Sequence, residues 1–230
     1  MAVITVARQL GSDGDRIAEQ VAQRLEYEYV DQRLVKEIAS ITGATVDEVE
    51  KYDEKAEGRV KHFLKRLLVP EMGPGGFPLS SAAYFPEFGL EFPYVAEREE
   101  AQGATYLDRG TYQLLITTLI QDFGALGKAV IVGRASQVIL KDLAQAVHIK
   151  VVAPFEQRCQ RIQEMRSMQE QDARKLVEQH DEWRQRYLET SLQVDWDDPL
   201  LYHLTINTGK LSVDEAVELV VGMSVGKDPV

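Results

Sequence analysis

The sequence predicts a three-layer α/β fold, in which a parallel β-sheet carries helices on both faces and one irregular or helical insertion interrupts the pattern. Short apolar runs rich in β-branched residues alternate along the chain with segments whose apolar residues recur at helical spacing. Residues 70–93 depart from both patterns, because they are rich in glycine, proline and aromatic residues. With 230 residues, 44% of them hydrophobic, the chain can build one such domain, and we expect residues 1–230 to form it.

Residues 3–7 form the first apolar run and are expected to make a buried strand. A turn containing Gly11 and Gly14 follows, and then apolar residues at helical spacing, namely Ile17, Ala18, Val21, Ala22 and Leu25. A strand that enters a helix through such a turn exposes backbone N–H groups above the sheet, and with the helix dipole they form an anion site. Alternatively, Asp13 or Asp15 caps the helix with its side chain, and a capped helix needs no external anion. These residues alone leave both interpretations open.

The remaining elements continue the alternation. Strands are expected over residues 27–30, 129–132, 147–152 and 202–207, and helices over 112–123, 155–165, 172–188 and 213–221. Capping-box pairs mark two helix starts, Thr45 with Glu48 and Ser212 with Glu215. Because parallel strands bring their carboxyl ends to one edge of the sheet, the ligand crevice is expected at that edge.

Arginines are concentrated in residues 158–186, which contain six arginines and one lysine. Guanidinium groups bind phosphate oxygens in a bidentate fork, so an arginine cluster near the crevice favours phosphate binding. Alternatively, these residues form a solvated helix face with i,i+4 ion pairs, and the carboxylates in the same stretch support that reading. Arg158 and Arg161 follow a predicted strand end by one turn, which favours the phosphate-facing interpretation. Asp31 and Arg134 also directly follow predicted strands.

The composition limits the classes of partner. A net charge of −11 argues against a general nucleic-acid binder, whereas a local arginine cluster still suits a small anionic substrate. Cys159 is the only cysteine, so no disulfide can form within the chain, which fits a reducing compartment. We see no signal peptide and no apolar run of about 20 residues, so we expect a cytoplasmic protein without a membrane partner. The four histidines are not spaced as metal ligands.

Several motifs in a fixed order resemble the cytidylate kinase-like family of nucleoside monophosphate kinases. The segment VIVGRASQVILKDLAQAVHIKVVAPFEQRCQRI is similar to the family's Gly-Arg strand end, the loop after it and the arginine-bearing helix that opens its lid. DEWR and LTINTGKLSVDEAVELV are similar to its later motifs. ARQLGSDGDRIA and DWDDPLLY resemble the branch whose phosphate loop lacks the usual lysine. The resemblance covers residues 2–31 and 127–221.

The resemblance implies a P-loop kinase-type fold whose degenerate phosphate loop binds ATP with Mg²⁺ and transfers a phosphoryl group to a nucleoside monophosphate, CMP or dCMP. It assigns residues 45–110 to the acceptor site and insertion, and residues 158–175 to a lid. The implied catalytic residues are Arg158, Arg161 and Arg166. The implied cofactor-binding residues are Gly11, Ser12, Asp13, Gly14, Asp15 and Arg16, and the implied acceptor-binding residues are Asp31, Arg134, Asp181 and Arg184. The partner is then a small nucleotide, and both a monomer and a homodimer remain open.

The phosphate loop departs from the usual pattern at three positions, and at the first of them Asp13 replaces a glycine. Gly14 stands where a lysine would reach the outer phosphates, and Asp15 stands where a hydroxyl would bind magnesium. We expect Asp15 to ligate Mg²⁺ directly, and Arg8 or Arg16 to supply the missing positive charge. Because the lysine is missing and the acceptor motif after Asp31 is altered, the alternative is a non-catalytic nucleotide-binding or regulatory protein on the same fold.

Overall fold

A parallel sheet lies at the centre of the computed structural model, which describes residues 1–43, 45–50, 82–85, 90–93 and 109–225. The strands described are β1 (Val3–Arg8), β2 (Glu28–Val30), β3 (Ala82–Phe85), β4 (Leu90–Pro93), β5 (Ala129–Val132), β6 (Ala146–Val152) and β7 (Leu204–Asn207). Five of them form one sheet in the order β2-β5-β1-β6-β7, and every neighbouring pair in it is parallel. Strands β3 and β4 form a separate antiparallel pair.

Helices alternate with the strands of the parallel sheet, as predicted. The helices described are α1 (Gly14–Leu25), α2 (Gln32–Thr42), α3 (Val46–Glu50), α4 (Arg109–Leu126), α5 (Ser136–Ile139), α6 (Phe155–Arg166), α7 (Glu170–Leu192) and α8 (Val213–Val225), with a short 3-10 helix over Pro199–Leu201. Among the helices so described, none is long and apolar enough to span a membrane.

The parallel sheet is covered on both faces, and the side chains of β5 show this directly. Ala129 and Ile131 join one buried cluster with residues of α2 and α4, whereas Val130 and Val132 join a second cluster with residues of α1 and α8. Successive side chains of a strand point to opposite faces, so the two clusters lie on the two sides of the sheet. The predicted three-layer α/β fold is therefore confirmed.

The predicted helices over the second half of the chain are present, and each extends beyond its predicted bounds at one or both ends. The capping box at the start of α8 is confirmed. The N–H and hydroxyl of Ser212 donate to Glu215 Oε2 at 2.8 and 2.7 Å, and the Glu215 N–H donates to Ser212 Oγ at 3.3 Å. Helix α3 begins at Val46, directly after Thr45, as its capping motif predicts.

The structure adds one helix to the predicted elements and corrects one expectation. Helix α2 is the added element, and its residues Leu34, Val35, Ile38 and Ala39 recur at helical spacing and are buried. Within residues 70–93, which were expected to be irregular, Ala82–Phe85 and Leu90–Pro93 pair as strands, in keeping with the preference of aromatic residues for strands. The rest of that segment, and most of the acceptor region assigned to residues 45–110, lies outside the described residues.

Candidate nucleotide-binding site

The loop between β1 and α1 has the backbone form of an anion-binding turn. Gly11 and Asp13 adopt left-handed conformations with φ of 78° and 61°, and α1 begins at the next residue, Gly14. A Cβ at Gly11 would lie 2.7 Å from the carbonyl oxygen of Arg158, and one at Gly14 would lie 2.4 Å from Arg8 Cβ. Both glycines are therefore required by close packing, and alternation of left- and right-handed residues is typical of backbone nests that bind anions.

The side chains of the loop do not cap α1. Asp13 is the N-cap residue, yet its carboxylate makes no capping hydrogen bond, and its Oδ2 instead lies 3.1 Å from Arg161 Nη1. The Asp15 carboxylate accepts from Arg8 Nε at 2.8 Å. The capped-helix interpretation is therefore wrong, and the first-turn N–H groups, which have no acceptor within a helix, remain without a side-chain cap.

Ser12 braces the loop from within. It is fully buried, and both its N–H and its hydroxyl donate to the carbonyl oxygen of Gln9, at 3.2 and 2.7 Å. The Gln9 side chain in turn accepts from the N–H of Ala153 at the end of β6, at 3.1 Å. The loop is thus tied to the neighbouring strand before any ligand binds.

Arg158 is the most buried arginine of the predicted cluster and is anchored on several sides. Only 4% of it is exposed, and it makes a bidentate pair with Asp181, with distances of 3.1 Å to Oδ1 and 2.8 Å to Oδ2. Its Nε donates to the Ala153 carbonyl at 3.1 Å, and Nη1 donates to the Leu10 carbonyl at 3.4 Å. Arg158 therefore joins α6, α7 and the phosphate loop.

Arg161 also contacts the loop, but its side chain is 29% exposed. Its Nη1 donates to the carbonyl oxygen of Gly11 at 3.2 Å and to the hydroxyl of Thr208 at 3.0 Å. Its Nη2 donates to the carbonyl oxygen of Thr208 at 3.1 Å. Sequence reasoning missed Thr208, although its place directly after β7 puts it at the same sheet edge as the loop, which is a usable signal.

Arg184 approaches the loop from α7 and is supported by the DWDDPLLY segment. Its Nη1 donates to the carbonyl oxygen of Arg8, and its guanidinium lies 5.3 Å from the ring centroid of Trp196. Lys150 also lies at that ring, since its Nζ is 4.4 Å from the centroid, and it donates to the Trp196 carbonyl and to Asp197 at 3.0 and 2.6 Å. Lys150 and Trp196 are structural supports that the sequence analysis did not single out.

Arg134 and Asp31 meet at the neighbouring strand ends, after β5 and β2. Arg134 Nη1 donates to Asp31 Oδ1 at 2.7 Å, and only 5% of Arg134 is exposed. Arg134 and Ala135 both have positive φ, of 52° and 54°, which is a strained conformation for residues with a Cβ. Beside them, burial and the charge of Asp31 raise the pKa of Tyr29, so its phenol stays neutral.

Two predicted site residues, Arg16 and Arg166, make no hydrogen bond or ion pair with the loop within the described part of the chain. Arg16 is exposed on α1, and Arg166 is exposed at the far end of α6. Of the two suggested replacements for the lysine, Arg8 contacts the loop, because its Nε donates to Asp15 and its stem packs against Gly14. Arg174, on α7, pairs with both oxygens of Glu156, on α6, and this hydrogen bonding lowers the pKa of Glu156. The helix-face interpretation holds for Arg174, whereas Arg158 and Arg161 face the loop.

No cluster of three or more metal-ligating side chains occurs among the described residues. Asp15 lies in the first turn of α1, where it pairs with Arg8, and its side chain is 58% exposed. A single carboxylate of this kind suits Mg²⁺, which often binds one or two carboxylates together with substrate phosphates.

The parallel sheet and the glycine loop that opens α1 at its carboxyl edge define a P-loop kinase-type protein. Residues 3–210 match the sequence model of the cytidylate kinase-like family, and the chain belongs to that family. Because the family is kinase-like, the match supports a nucleotide-dependent kinase activity as the general class of reaction. A search of curated proteins finds no match.

Solved structures agree with the fold. A crystal structure of an uncharacterized protein from Eubacterium ventriosum superposes with a TM-score of 0.63 and 15% identity, and covers 98% of this chain and 99% of that one. A shikimate kinase from Bacteroides thetaiotaomicron gives a TM-score of 0.48 with 8% identity, over 96% of this chain and 97% of that one. One from Acinetobacter baumannii in complex with shikimate gives 0.46 with 12% identity, over 100% and 96%.

Proposed function

We propose that the protein transfers a phosphoryl group from ATP to a nucleoside monophosphate, with CMP or dCMP as the acceptor and Mg²⁺ as the metal. The observation that carries this proposal is the uncapped amino end of α1, which lies beside the arginines of α6 at the carboxyl edge of the sheet. Phosphoryl transfer needs positioned donors and charge neutralisation rather than a nucleophilic side chain, and these elements are suited to supply both. Membership of the cytidylate kinase-like family supports the acceptor class.

At the nucleotide end, the backbone from Gly11 to Asp15 would hold the outer phosphates of ATP. Arg161 would reach the transferring group, because it is partly exposed and its hydrogen bonds to Gly11 and Thr208 use only part of its five N–H donors. Arg158 would stabilise the same group from its buried position against Asp181. We assign residues 158–175 to a lid, whose movement would be needed to bring Arg166 close.

At the acceptor end, Arg134 and Arg184 would bind the monophosphate. Arg134 follows β5, and Arg184 lies on α7. Arg134 would grip its phosphate, and Asp31 would hold the guanidinium in place, since the two side chains already pair at 2.7 Å. Asp181 and Arg184 would contact the acceptor from α7. A charge-assisted bidentate contact between an arginine and the acceptor phosphate is stronger than a neutral hydrogen bond, and it would orient the acceptor toward ATP.

Asp15 would hold the metal. Its pair with Arg8 uses Oδ1, and the carboxylate is more than half exposed, so Oδ2 would be the ligand. When bound, Mg²⁺ neutralises charge on the outer phosphates of the nucleotide.

A second candidate function is nucleotide binding without catalysis. It is favoured by the carboxylates that already neutralise the loop arginines, Asp181 on Arg158 and Asp13 on Arg161. A nucleotide would have to compete with these groups, and the loop has no lysine to favour the transferring phosphate. Such a protein would still use the same fold and the same loop.

Two experiments test the proposal. Thermal-shift scans with ATP, CMP and dCMP, with and without Mg²⁺, measure binding. An ADP-release assay across nucleoside monophosphates then measures turnover. A ligand at about 100 times its Kd should stabilise the protein by about 2.7 kcal/mol. We expect stabilisation by ATP with Mg²⁺ and ADP release that depends on CMP or dCMP.

Arg161→Gln is the informative variant, and Arg186→Gln, on the exposed face of α7, is its matched control. Loss of one donor to the transferring group should lower ADP release about 100-fold in the first and leave the second unchanged. Binding of ATP without any turnover would support the non-catalytic alternative. A protein that binds none of these nucleotides would contradict both functions.

A further inference from the structure

Thr208, the first residue after β7, links the phosphate loop to Arg161. Its hydroxyl donates to the carbonyl oxygen of Ser12 at 2.9 Å and accepts from Arg161 Nη1 at 3.0 Å. Its carbonyl oxygen accepts from Arg161 Nη2 at 3.1 Å. Only 7% of Thr208 is exposed, so these hydrogen bonds compete little with water.

The hydroxyl of Thr208 has one proton and two candidate acceptors. The carbonyl oxygen of Ser12 lies at 2.9 Å, whereas that of Val152 lies at 3.4 Å, so the shorter contact takes the proton. Because Arg161 is a donor only, the hydroxyl must accept from it and is thereby turned toward Ser12. The contact between Thr208 and the loop is therefore set by chemistry as well as by distance.

Each loop carbonyl that is held in this way fixes the amide next to it. In a trans peptide the carbonyl oxygen and the following N–H point in opposite directions, and no cis peptide occurs among the described residues. The peptide between Gly11 and Ser12 shows the effect, because Arg161 holds the Gly11 carbonyl at 3.2 Å and the Ser12 N–H donates to Gln9 on the other side. By the same geometry, Thr208 fixes the direction of the Asp13 N–H.

We propose that Thr208 is a positioning residue of the phosphate loop, which holds the Ser12 carbonyl so that the Asp13 N–H faces the phosphates of the bound nucleotide. This inference rests on the proposed function. Asp13 directly precedes Gly14, so its amide adjoins the uncapped first turn of α1. In this loop, which has no lysine, hydrogen bonds to the carbonyl oxygens thereby set the direction of the backbone N–H groups.

Inorganic tripolyphosphate is the probe, because it reports on the loop without any contribution from a base or ribose. Calorimetric titrations should compare the wild-type chain with Thr208→Val, which keeps the shape and removes the hydroxyl, and Thr208→Ser, which keeps the hydroxyl. Thr190→Val is the matched control, since the Thr190 hydroxyl donates to the Arg186 carbonyl on the exposed face of α7. Thr208→Val should weaken binding about tenfold, and Thr208→Ser and Thr190→Val should stay within about threefold of wild type.

The possible outcomes separate this inference from the proposed function. Wild-type protein that binds neither tripolyphosphate nor ATP overturns both. Wild-type binding that Thr208→Val leaves unchanged, or that Thr208→Ser weakens equally, overturns the role of Thr208 alone.

If Thr208→Val does not fold, amide NMR of the wild-type chain decides the question. Addition of tripolyphosphate should shift the Asp13 and Gly14 amide signals strongly. The Ser12 amide is bonded to Gln9 and should move much less. Equal movement of the Ser12 and Asp13 signals overturns the inference.

Discussion

Gly14 stands where a phosphate loop usually carries its lysine, and the packing around it leaves no room for a side chain. A Cβ at Gly14 would lie 2.4 Å from Arg8 Cβ and 2.9 Å from Arg8 Cγ. These atoms belong to the stem of Arg8 rather than to its mobile end, so a larger residue would have to displace the end of β1. Arg8 and Gly14 are therefore complementary in packing, because the stem of Arg8 occupies the space that a side chain at Gly14 would need.

This complementarity predicts opposite effects for one substitution at two helical glycines. Gly14→Ala should destabilise the protein by about 1–3 kcal/mol, because the added methyl group overpacks against Arg8. Gly222→Ala, in α8 where a Cβ would meet nothing within 4 Å, should stabilise it by about 0.5–1 kcal/mol. Urea unfolding measures both. A Gly14→Ala protein as stable as wild type would contradict the packing at Arg8.

The hairpin formed by α6 and α7 carries three arginines of the site, Arg158, Arg161 and Arg184. Its two helices pack through a small core of Cys159, Ile162, Ala173 and Val177, and burial raises the pKa of the Cys159 thiol. Two bidentate ion pairs tie the same helices together. The Arg158–Asp181 pair lies beside the phosphate loop and is largely buried, whereas the Arg174–Glu156 pair is exposed.

The two ion pairs should differ in strength because they differ in burial. A double-mutant cycle with Arg158→Gln and Asp181→Asn should give a coupling free energy of about 1–3 kcal/mol, since removal of one partner leaves the other desolvated. The same cycle with Arg174→Gln and Glu156→Gln should give a smaller coupling that falls with added salt. Equal couplings at high salt would show that the inner pair is as solvated as the outer one.

The capping box of α8 should make the stability of this helix depend on pH. Hydrogen bonds from Ser212 lower the pKa of Glu215 in the folded state. A lowered folded pKa contributes stability above the unfolded pKa, and that contribution is lost as the pH falls through the folded pKa. Glu215→Ala should therefore lower the melting temperature at neutral pH, and the difference from wild type should shrink in acid. A difference in melting temperature that stays constant from neutral to acidic pH would contradict the capping role of Glu215.

At the scale of the whole molecule, local patterns predicted most of the fold and less of the site. The apolar runs of β1, β5 and β6 and the capping box of α8 depend on neighbours in sequence, so they could be read directly. The partners of Asp13 and Asp15 could not. Whether Asp13 caps α1 or pairs with Arg161 depends on where α6 packs, and no local pattern contains that information. The contacts of Thr208 with Ser12 and Arg161 are also tertiary, although its position directly after β7 already places it at the edge of the sheet where the loop lies.

The order of the strands has a consequence for how the chain folds during synthesis. β1 lies in the middle of the sheet, yet its two neighbours, β5 and β6, begin at Ala129 and Ala146. More than half of the 230 residues must therefore emerge from the ribosome before the first strand can pair on either side. Such distant pairing slows folding and leaves an apolar strand exposed to chaperones or to aggregation in the meantime. The central position that puts the phosphate loop among its arginines therefore also delays the pairing of β1 until β5 and β6 have been made.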